Sequence, residues 1–260
     1  MVIPPFYLLV ILCHNQQTAV LGLTEDHRLP LKDWAMEEYR DLDTEREKLF
    51  HSLRKKIGDE RIVEAMDRVP RELFIPSASR YMAYNDAPLP IEMGQTISQP
   101  FIVALMTEAL ELTGQERVLE VGTGSGYQAA ILAELAKWVF GVERHPQLID
   151  IARRTLERLG YTNIEIHLAG KTLGWKDGAP YDGIIVTAGA PKVPQELVDQ
   201  LAPGGRLVIP VGSRYEQQLL KLTKRNGELV KQNLGGCRFV PLIAEDAWDE
   251  GEQQSSSRFS

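Results

Sequence analysis

The chain has 260 residues, of which 43% are hydrophobic, and a formal net charge of -7. This length can bury one large core or one domain with an appendage, and the acidic balance argues against a general nucleic-acid-binding protein, which needs a basic stripe. The two cysteines, Cys13 and Cys237, lie far apart without metal-ligand spacing. The sequence therefore predicts neither a disulfide framework nor a metal site.

An apolar run from Phe6 to Cys13 lies near the start of the chain. It is shorter than the about 20 residues that a membrane-spanning helix needs, so no stable membrane span is expected. It could form the core of a signal peptide, but no Lys or Arg precedes it and no clear cleavage site follows. We expect residues 1–40 to be a poorly ordered leader or extension and the protein to be cytoplasmic. The alternative is export or lipid anchoring through this segment.

Two amphipathic helices are predicted next. The first begins at Asp43 or Thr44, repeats apolar residues at i, i+4 and i+8, and ends at Gly58. The second covers residues 59–69 and ends before Pro70. Together they give the chain an N-terminal helical segment.

Residues 70–100 form a long segment that is rich in Pro, Tyr and polar groups. Long loops inside a compact domain are usually functional. Pro100 suits the first turn of a helix over residues 100–112. Of the two residues before it, Ser98 is a better capping type than Gln99.

The pattern then changes to alternating strands and helices. Strands are predicted at 117–121, 138–143, 163–169, 181–189 and 206–212, helices at 127–136, 145–160 and 193–205, a hairpin across Asn226-Gly227, and a last strand at 237–243. Strands separated by single helices indicate a parallel sheet with helices on both faces. We predict an α/β fold, a Rossmann-like doubly wound, mostly parallel, seven-stranded sheet in which the hairpin adds an antiparallel edge.

The stretch "VLEVGTGSGYQ" follows a strand and opens a helix. Its glycines Gly122, Gly124 and Gly126 allow a tight turn and a close ligand, but the spacing is G-x-G-x-G and not the G-x-G-x-x-G of dinucleotide sites. Glu120, interpreted as part of the turn, would repel a phosphate. Glu143 ends the next strand, where a carboxylate can hold a ribose diol. A ligand with a cationic or hydroxylated part therefore suits the site better than a pyrophosphate.

S-adenosylmethionine meets these requirements, with its ribose at Glu143 and its amino group near Glu120 and the glycine turn. The alternative is a glycine-rich turn without a ligand and with Glu143 as an exposed strand-end acid. The cofactor residues predicted on this basis are Glu120, Gly122, Thr123, Gly124, Ser125, Gly126 and Glu143.

Several longer blocks point to one family. They include "RVPRELFIP", "YNDAPLPIEMGQTISQPFIVALMTEAL", "GVERHPQL" and "PYDGIIVTAGAPKVPQELVDQLAPGGRLVIPVG". From about Leu49 to Ile243 the chain resembles the protein-L-isoaspartate (D-aspartate) O-methyltransferases. The block "GQTISQP" is the most specific, because other methyltransferases share the glycine loop but not this block. The resemblance implies the fold of S-adenosylmethionine-dependent methyltransferases.

The resemblance also implies an activity and its residues. The family methylates the free carboxylate of L-isoaspartyl and D-aspartyl residues in damaged proteins and so initiates their repair. Its active-site serine matches Ser98, with Thr96 and Gln95 as neighbours. A carboxylate with an ordinary pKa of about 4 is already ionised and needs no general base, so we expect Ser98 and Thr96 to be anchors and not nucleophiles. Alone, Ser98 would be interpreted as a plain helix cap.

One departure from the family's pattern follows the third strand. The family usually has G-D-G there, with the acid facing the adenine, whereas this chain has Ala169, Gly170 and Lys171. Gly170 is therefore the expected contact at the adenine edge. The departure keeps open a methyltransferase with another carboxylate acceptor, or a catalytically weak protein that binds isoaspartyl segments or cofactor. The loop spacing disfavours an NAD-dependent enzyme.

The predicted organisation is a methyltransferase domain at 41–246 and a disordered tail at 247–260. Within the domain, residues 41–113 form a helical and loop substrate region and residues 114–246 form the cofactor-binding sheet. The expected partners are isoaspartyl-containing proteins and peptides, without nucleic acid, and the protein is expected to be a monomer.

Overall fold

A computed structural model of the protein describes residues 31–245 and 247–249, with side chains from residue 42 onward. The chain forms two compact units, residues 1–37 and 38–260. Residues 1–30 of the predicted leader at 1–40, and residues 250–260 of the predicted tail at 247–260, lie outside the described residues. Residues 31–40 belong to a helix, and residues 247–249 are described. Within the described part of the chain, no helix combines the length and apolar character that a membrane span requires.

Two helices begin the described chain, α1 (Leu31–Arg54) and α2 (Glu60–Arg68). The second helix confirms its prediction, and the Asp59 side chain caps it by accepting from the Arg61 N–H at 3.1 Å. The predicted start of the first helix at Asp43 or Thr44 is wrong. The residues before Asp43 include Leu, Ala, Met and Glu, which are strong helix formers. The helix therefore begins before Asp43 and continues past it, although Asp often caps a helix.

The long segment between α2 and the next helix is more ordered than the predicted loop. It contains three short 3-10 turns, Arg71–Phe74, Ser77–Met82 and Glu92–Gly94, and two antiparallel strands, β1 (Leu89–Pro90) and β2 (Thr96–Ile97). Leu89 pairs with Ile97 and both are buried. Helix α3 (Pro100–Ala109) follows directly and begins at the predicted proline. This small two-stranded sheet therefore fixes the segment before α3.

The main sheet has seven strands, as predicted. They are β3 (Arg117–Val121), β4 (Trp138–Glu143), β5 (Ile164–Leu168), β6 (Tyr181–Val186), β7 (Leu201–Gly212), β8 (Gln217–Arg225) and β9 (Glu228–Cys237), with helices α4 (Tyr127–Ala133), α5 (Pro146–Arg158) and α6 (Gln195–Asp199) between them. The strand order is β5-β4-β3-β6-β7-β8-β9. The first five strands run parallel, and the β8–β9 hairpin adds two antiparallel strands.

Two predicted elements near the C-terminus are wrong. Helix α6 is only Gln195–Asp199, because the chain enters β7 at Leu201, and not at residue 206. The predicted last strand at 237–243 is absent from the described chain, since β9 is the second arm of the hairpin and ends at Cys237. Pro241 makes only an isolated bridge with Gly189, consistent with a residue that has no N–H to donate.

The central strands β3, β4 and β6 are buried on both faces, whereas the edge strand β9 is mostly exposed. Val118 and Val139 share a core cluster with residues of α3 and α4, whereas Leu119 and Phe140 belong to a cluster on the other face that includes Leu197 of α6. Alternate residues of a strand point to opposite faces, so this division is the one that a doubly wound sheet requires. Because both faces of the central strands are covered, a site on these strands lies at their ends.

Candidate active site

A cleft opens at the carboxyl ends of the central strands. In open α/β sheets, ligands bind at the carboxyl ends of the strands, at the point where the strand order reverses. Here that point is β3, because β4 and β5 lie on one side of it and β6 and β7 lie on the other. The cleft encloses about 990 Å³, part of it open to solvent. We call three parts of its lining the strand-end wall (residues 120–125, 143–145, 169–170, 172–174 and 187–188), the loop wall (residues 95–98) and the C-terminal wall (residues 240–244).

The glycine loop of the strand-end wall needs glycine at its first position. The N–H groups of Gly122 and Thr123 both donate to the Val142 carbonyl, at 2.8 and 3.2 Å. Gly122 has φ = 93°, a left-handed conformation that favours glycine. A Cβ atom there would lie 2.5 Å from Oγ1 of Thr187. The loop can therefore approach β6 closely only without a side chain at Gly122.

Glu143 braces this loop from the end of β4. Its Oε2 accepts from the Gly124 N–H at 2.9 Å, and its Oε1 accepts from the N–H groups of Arg144 and His145 at 2.8 and 2.9 Å. The residue is only 4% exposed. The alternative interpretation of Glu143 as an exposed strand-end acid is therefore wrong, and its carboxylate lies in the wall of the cleft.

Glu120 lies inside β3 and not in the turn, which corrects the prediction. It is fully buried, and within the described residues neither of its carboxyl oxygens has a hydrogen-bond partner. Burial, and then the charge of Glu143, hold the pKa of Glu120 well above its usual range. A buried acid without partners at the edge of a cleft fits a cationic ligand, because the ligand would supply the missing charge. The cationic part of S-adenosylmethionine meets this requirement.

The adenine edge expected from the family pattern also lies in the strand-end wall. The chain continues the pairing of β4 and β5 there, since the Ala169 N–H donates to the Glu143 carbonyl at 2.8 Å. Gly170 is exposed and lines the cleft, and a Cβ atom on it would meet no heavy atom within 4 Å. The position of the absent family acid therefore has room for a side chain. Ser125 lines the same wall, whereas Gly126 is buried as the N-cap of α4, where a Cβ atom would lie 3.1 Å from that of Ala152 in α5, and it does not line the cleft.

The loop wall brings the predicted catalytic residues into the same cleft. Gln95, Thr96 and Ser98 all line it, with Thr96 exposed and Ser98 half-buried. The turn before them is closed by the Ile91 N–H, which donates to the Gln95 carbonyl at 2.9 Å. Met93 takes φ = 58° in this turn. The specific "GQTISQP" block and the glycine loop therefore line the same cleft.

Ser98 does not cap α3, which corrects a second prediction. The N-cap residue is Gln99, and its side chain makes no capping bond. The Asp86 side chain does this instead, since its Oδ1 accepts from the Phe101 N–H at 2.9 Å. An acid from an earlier loop therefore satisfies the helix terminus, and the Ser98 hydroxyl has no capping role to fill.

The C-terminal wall is a part of the site that the sequence analysis missed. Its apolar residues are predicted as a last strand. The segment "CRFVPLI" is also one of the blocks that resemble the family, and this resemblance is the signal that could have assigned it to the site. The Gly189 N–H donates to Val240, and the Leu242 N–H donates to Gly189, both at 2.8 Å. The indole N–H of Trp248 also donates to the Gly189 carbonyl, at 3.1 Å. The chain thus turns back over the end of β6 to close the cleft.

The chain is similar to known proteins over most of its length. Residues 44–247 match the family model described as Protein-L-isoaspartate(D-aspartate) O-methyltransferase. A protein-L-isoaspartate O-methyltransferase from Syntrophus aciditrophicus is 58% identical over 191 residues, which are 72% of this chain and 88% of the relative.

Two solved structures are similar as well. One protein-L-isoaspartate O-methyltransferase has a TM-score of 0.70 and 33% identity, over 78% of this chain and 67% of that one. A Plasmodium falciparum protein of the same description, in complex with S-adenosyl-L-homocysteine, has a TM-score of 0.64 and 30% identity, over 74% of this chain and 95% of that one. The chain described here therefore belongs to the protein-L-isoaspartate(D-aspartate) O-methyltransferase family.

Proposed function

We propose that the protein methylates the free carboxylate of L-isoaspartyl and D-aspartyl residues in damaged proteins, with S-adenosylmethionine as the methyl donor. The observation that carries this proposal is a single cleft that is lined both by the glycine loop and Glu143 and by residues 95–98. The activity is that of the family to which the chain belongs. The cleft supplies the two binding regions that such a transfer needs.

The strand-end wall would hold the cofactor. S-adenosylmethionine, when bound, supplies the methyl group that the acceptor carboxylate takes up. Glu143 would accept hydrogen bonds from the ribose hydroxyls, and Glu120 would offset the cationic part of the ligand. The other cleft-lining residues that we assign to this role are Gly122, Thr123, Gly124, Ser125 and Gly170, and Gly126 would act by shaping the end of the loop at the start of α4.

The loop wall would hold the acceptor. Attack by a carboxylate needs alignment and desolvation, not a base. The hydroxyls of Thr96 and Ser98 and the amide of Gln95 can donate hydrogen bonds to a carboxylate, and they carry no full positive charge that would weaken it as a nucleophile. The side-chain amide of Gln95 donates to the Met93 carbonyl at 3.2 Å, so one of its two N–H hydrogens is already hydrogen-bonded. We assign these three residues the role of orienting the acceptor.

The experiment compares two peptides that differ only in linkage. The purified protein is incubated with methyl-labelled S-adenosylmethionine and either an isoaspartyl peptide or its ordinary aspartyl twin. We expect labelled, base-labile ester on the isoaspartyl peptide alone. Cofactor binding without ester would indicate the catalytically weak binding protein, and equal labelling of both peptides would indicate another carboxylate acceptor.

The organisation of the protein is also part of the proposal. Residues 41–246 would be the methyltransferase domain, with the acceptor side in 41–113 and the cofactor side in 114–246. The need for S-adenosylmethionine favours the cytoplasm over export. We propose a monomer that does not need nucleic acid, and sedimentation of the full chain with and without added nucleic acid would test both points.

A further inference from the structure

A buried arginine lies directly behind the loop wall. Arg71, the first residue of the turn Arg71–Phe74, is 0% exposed. Its Nε donates to the Ala83 carbonyl at 2.8 Å, and its Nη2 donates to the Ser98 carbonyl at 2.9 Å. Its guanidinium carbon lies 4.9 Å from the centre of the Tyr127 ring. One side chain therefore connects the 3-10 turn, the following loop and Ser98.

The Arg71 guanidinium has no carboxylate in contact with it within the described part of the chain. No carboxylate there forms an ion pair with it, and its Nη1 has no hydrogen-bond acceptor. The nearby acids are engaged elsewhere: Glu72 accepts from the Tyr84 hydroxyl at 2.6 Å, and Asp86 accepts from the Phe101 N–H. Burial lowers the pKa of Arg71, but an arginine starts so high that it stays charged. Removing one charge from water without a counter-charge is unfavourable.

We infer that Arg71 is the positioning residue of the acceptor side and that its unpaired charge makes the Ser98 region selective for an anionic acceptor. The inference rests on the proposed function and names a residue that it does not assign. The charge-assisted bond to the Ser98 carbonyl fixes the backbone that carries the hydroxyl. The positive charge lies one peptide group behind the cleft, where low polarity strengthens its effect on a ligand charge. The acceptor carboxylate then supplies the negative charge that the fold itself does not place beside Arg71.

The test separates charge from structure with two peptides. One carries the isoaspartyl carboxylate, and the other is its isoasparaginyl twin, in which a neutral amide replaces that carboxylate. The Michaelis constant of the first and the inhibition constant of the second are measured for the wild-type protein, for Arg71→Gln and for Arg71→Lys. Calorimetry with S-adenosylhomocysteine measures the cofactor side in each protein.

We expect the wild-type protein to prefer the charged peptide. Arg71→Gln should reduce that preference about ten-fold or more, because this is the change in affinity that corresponds to a hydrogen bond to a charged group. Affinity for S-adenosylhomocysteine should stay within about two-fold. Arg71→Lys keeps the charge but is a single point donor. It should therefore keep the preference and lose turnover, because it cannot hold both carbonyls.

Arg117 provides the matched control. Its guanidinium also lies over an aromatic ring, 5.0 Å from the centre of Phe140, and donates to a carbonyl, that of Gly178, at 2.7 Å. It stands at the opposite end of β3 from the cleft. Arg117→Gln should leave the preference for the charged peptide unchanged.

Several results would overturn the inference. They are an unchanged preference in Arg71→Gln, an equal loss of affinity for both peptides, and full turnover in Arg71→Lys. If Arg71→Gln does not fold, Arg71→Lys decides by its turnover, and failure of both variants to fold would make Arg71 a core residue only. A wild-type protein that does not methylate the isoaspartyl peptide would instead count against the proposed function, before any variant is compared.

Discussion

The strand-end wall and the loop wall of the cleft are held in place by different interactions. Main-chain bonds between neighbouring strands hold the first: the Thr187 N–H donates to Val121 at 2.9 Å, and the Ala169 N–H donates to Glu143 at 2.8 Å. The loop wall contains the two-residue strand β2, which pairs only with β1, and the Arg71 side chain holds the Ser98 carbonyl. A long parallel sheet positions one wall, and a two-residue strand pair with one buried side chain positions the other.

This difference predicts where each wall is vulnerable. In the strand-end wall, the backbone conformation is fixed by the sheet, so a substitution that changes a backbone angle or a close approach should have the largest effect. In the loop wall, the backbone depends on a short strand pair and on side-chain contacts, so loss of one side chain should change orientation more than folding.

The largest effect is expected for Gly122→Ala. The left-handed conformation costs a residue with a Cβ atom roughly 1–2 kcal/mol, and the new atom would lie 2.5 Å from Oγ1 of Thr187. The loop must move away from β6, and we expect affinity for S-adenosylhomocysteine to fall by about a hundred-fold or more, measured by calorimetry.

Gly160→Ala is the control for this change. Gly160 has φ = 82°, and a Cβ atom there would meet nothing within 4 Å. It should lose roughly 1–2 kcal/mol of folding stability from the backbone conformation alone and keep full cofactor affinity. Normal affinity in Gly122→Ala would mean that the close approach of loop and strand is not needed for binding.

Glu143→Ala should have the next largest effect. A hydrogen bond to a charged group contributes about 1.5–3 kcal/mol, so cofactor affinity should fall roughly ten- to a hundred-fold. Glu143 also braces three backbone N–H groups, so some stability will be lost as well, and melting must be measured together with calorimetry.

Glu116→Ala separates the two effects. Glu116 is also buried and accepts from the N–H groups of Thr113, Gly114 and Gln115 at 2.9 to 3.0 Å, but it lies before β3 at the other end of the strand. Both variants should lose stability, and only Glu143→Ala should lose cofactor affinity. Equal affinity in the two would remove Glu143 from the cofactor site.

Ser98→Ala tests the loop wall with a smaller change. We expect methyl transfer to an isoaspartyl peptide to fall about ten-fold, the equivalent of about 1.4 kcal/mol, while cofactor affinity stays the same. The melting temperature should also stay the same, because Ser98 does not cap α3. Asp86→Ala, which removes the bond to the Phe101 N–H, should instead cost about 1 kcal/mol of stability. Normal turnover in Ser98→Ala would mean that its hydroxyl does not orient the acceptor.

The same contrast explains which features the sequence could predict. The strand-end wall follows from local patterns, since a glycine loop after a strand and an acid after the next strand must meet at one sheet edge. The contact of Asp86 with Phe101 and that of Arg71 with Ser98 cross 15 and 27 positions of irregular chain, and no periodicity indicates them. Residue type alone favours Ser98 as a cap over Gln99, because the sequence does not show that Asp86 lies close enough to take this role. The C-terminal wall was predicted as a strand for a similar reason, since an apolar run does not reveal whether it pairs or covers a cleft.

The smallest effect concerns the strand-end wall, where the family's acid is absent. We expect Gly170→Asp to tighten S-adenosylhomocysteine binding about five-fold, the equivalent of about 1 kcal/mol for a hydrogen bond, because the new carboxylate would reach an adenine donor. The position has room, since a Cβ atom meets nothing within 4 Å and Gly170 is not in the left-handed region. Lys171→Asp is the control. It places an acid one residue after Gly170, which is the position that aligns with the family's acid, so it should not tighten S-adenosylhomocysteine binding. Tighter binding in both variants would mean a general effect of negative charge at this edge. Unchanged or weaker binding in Gly170→Asp would mean that Gly170 does not occupy the position of that acid, or that the adenine has another partner.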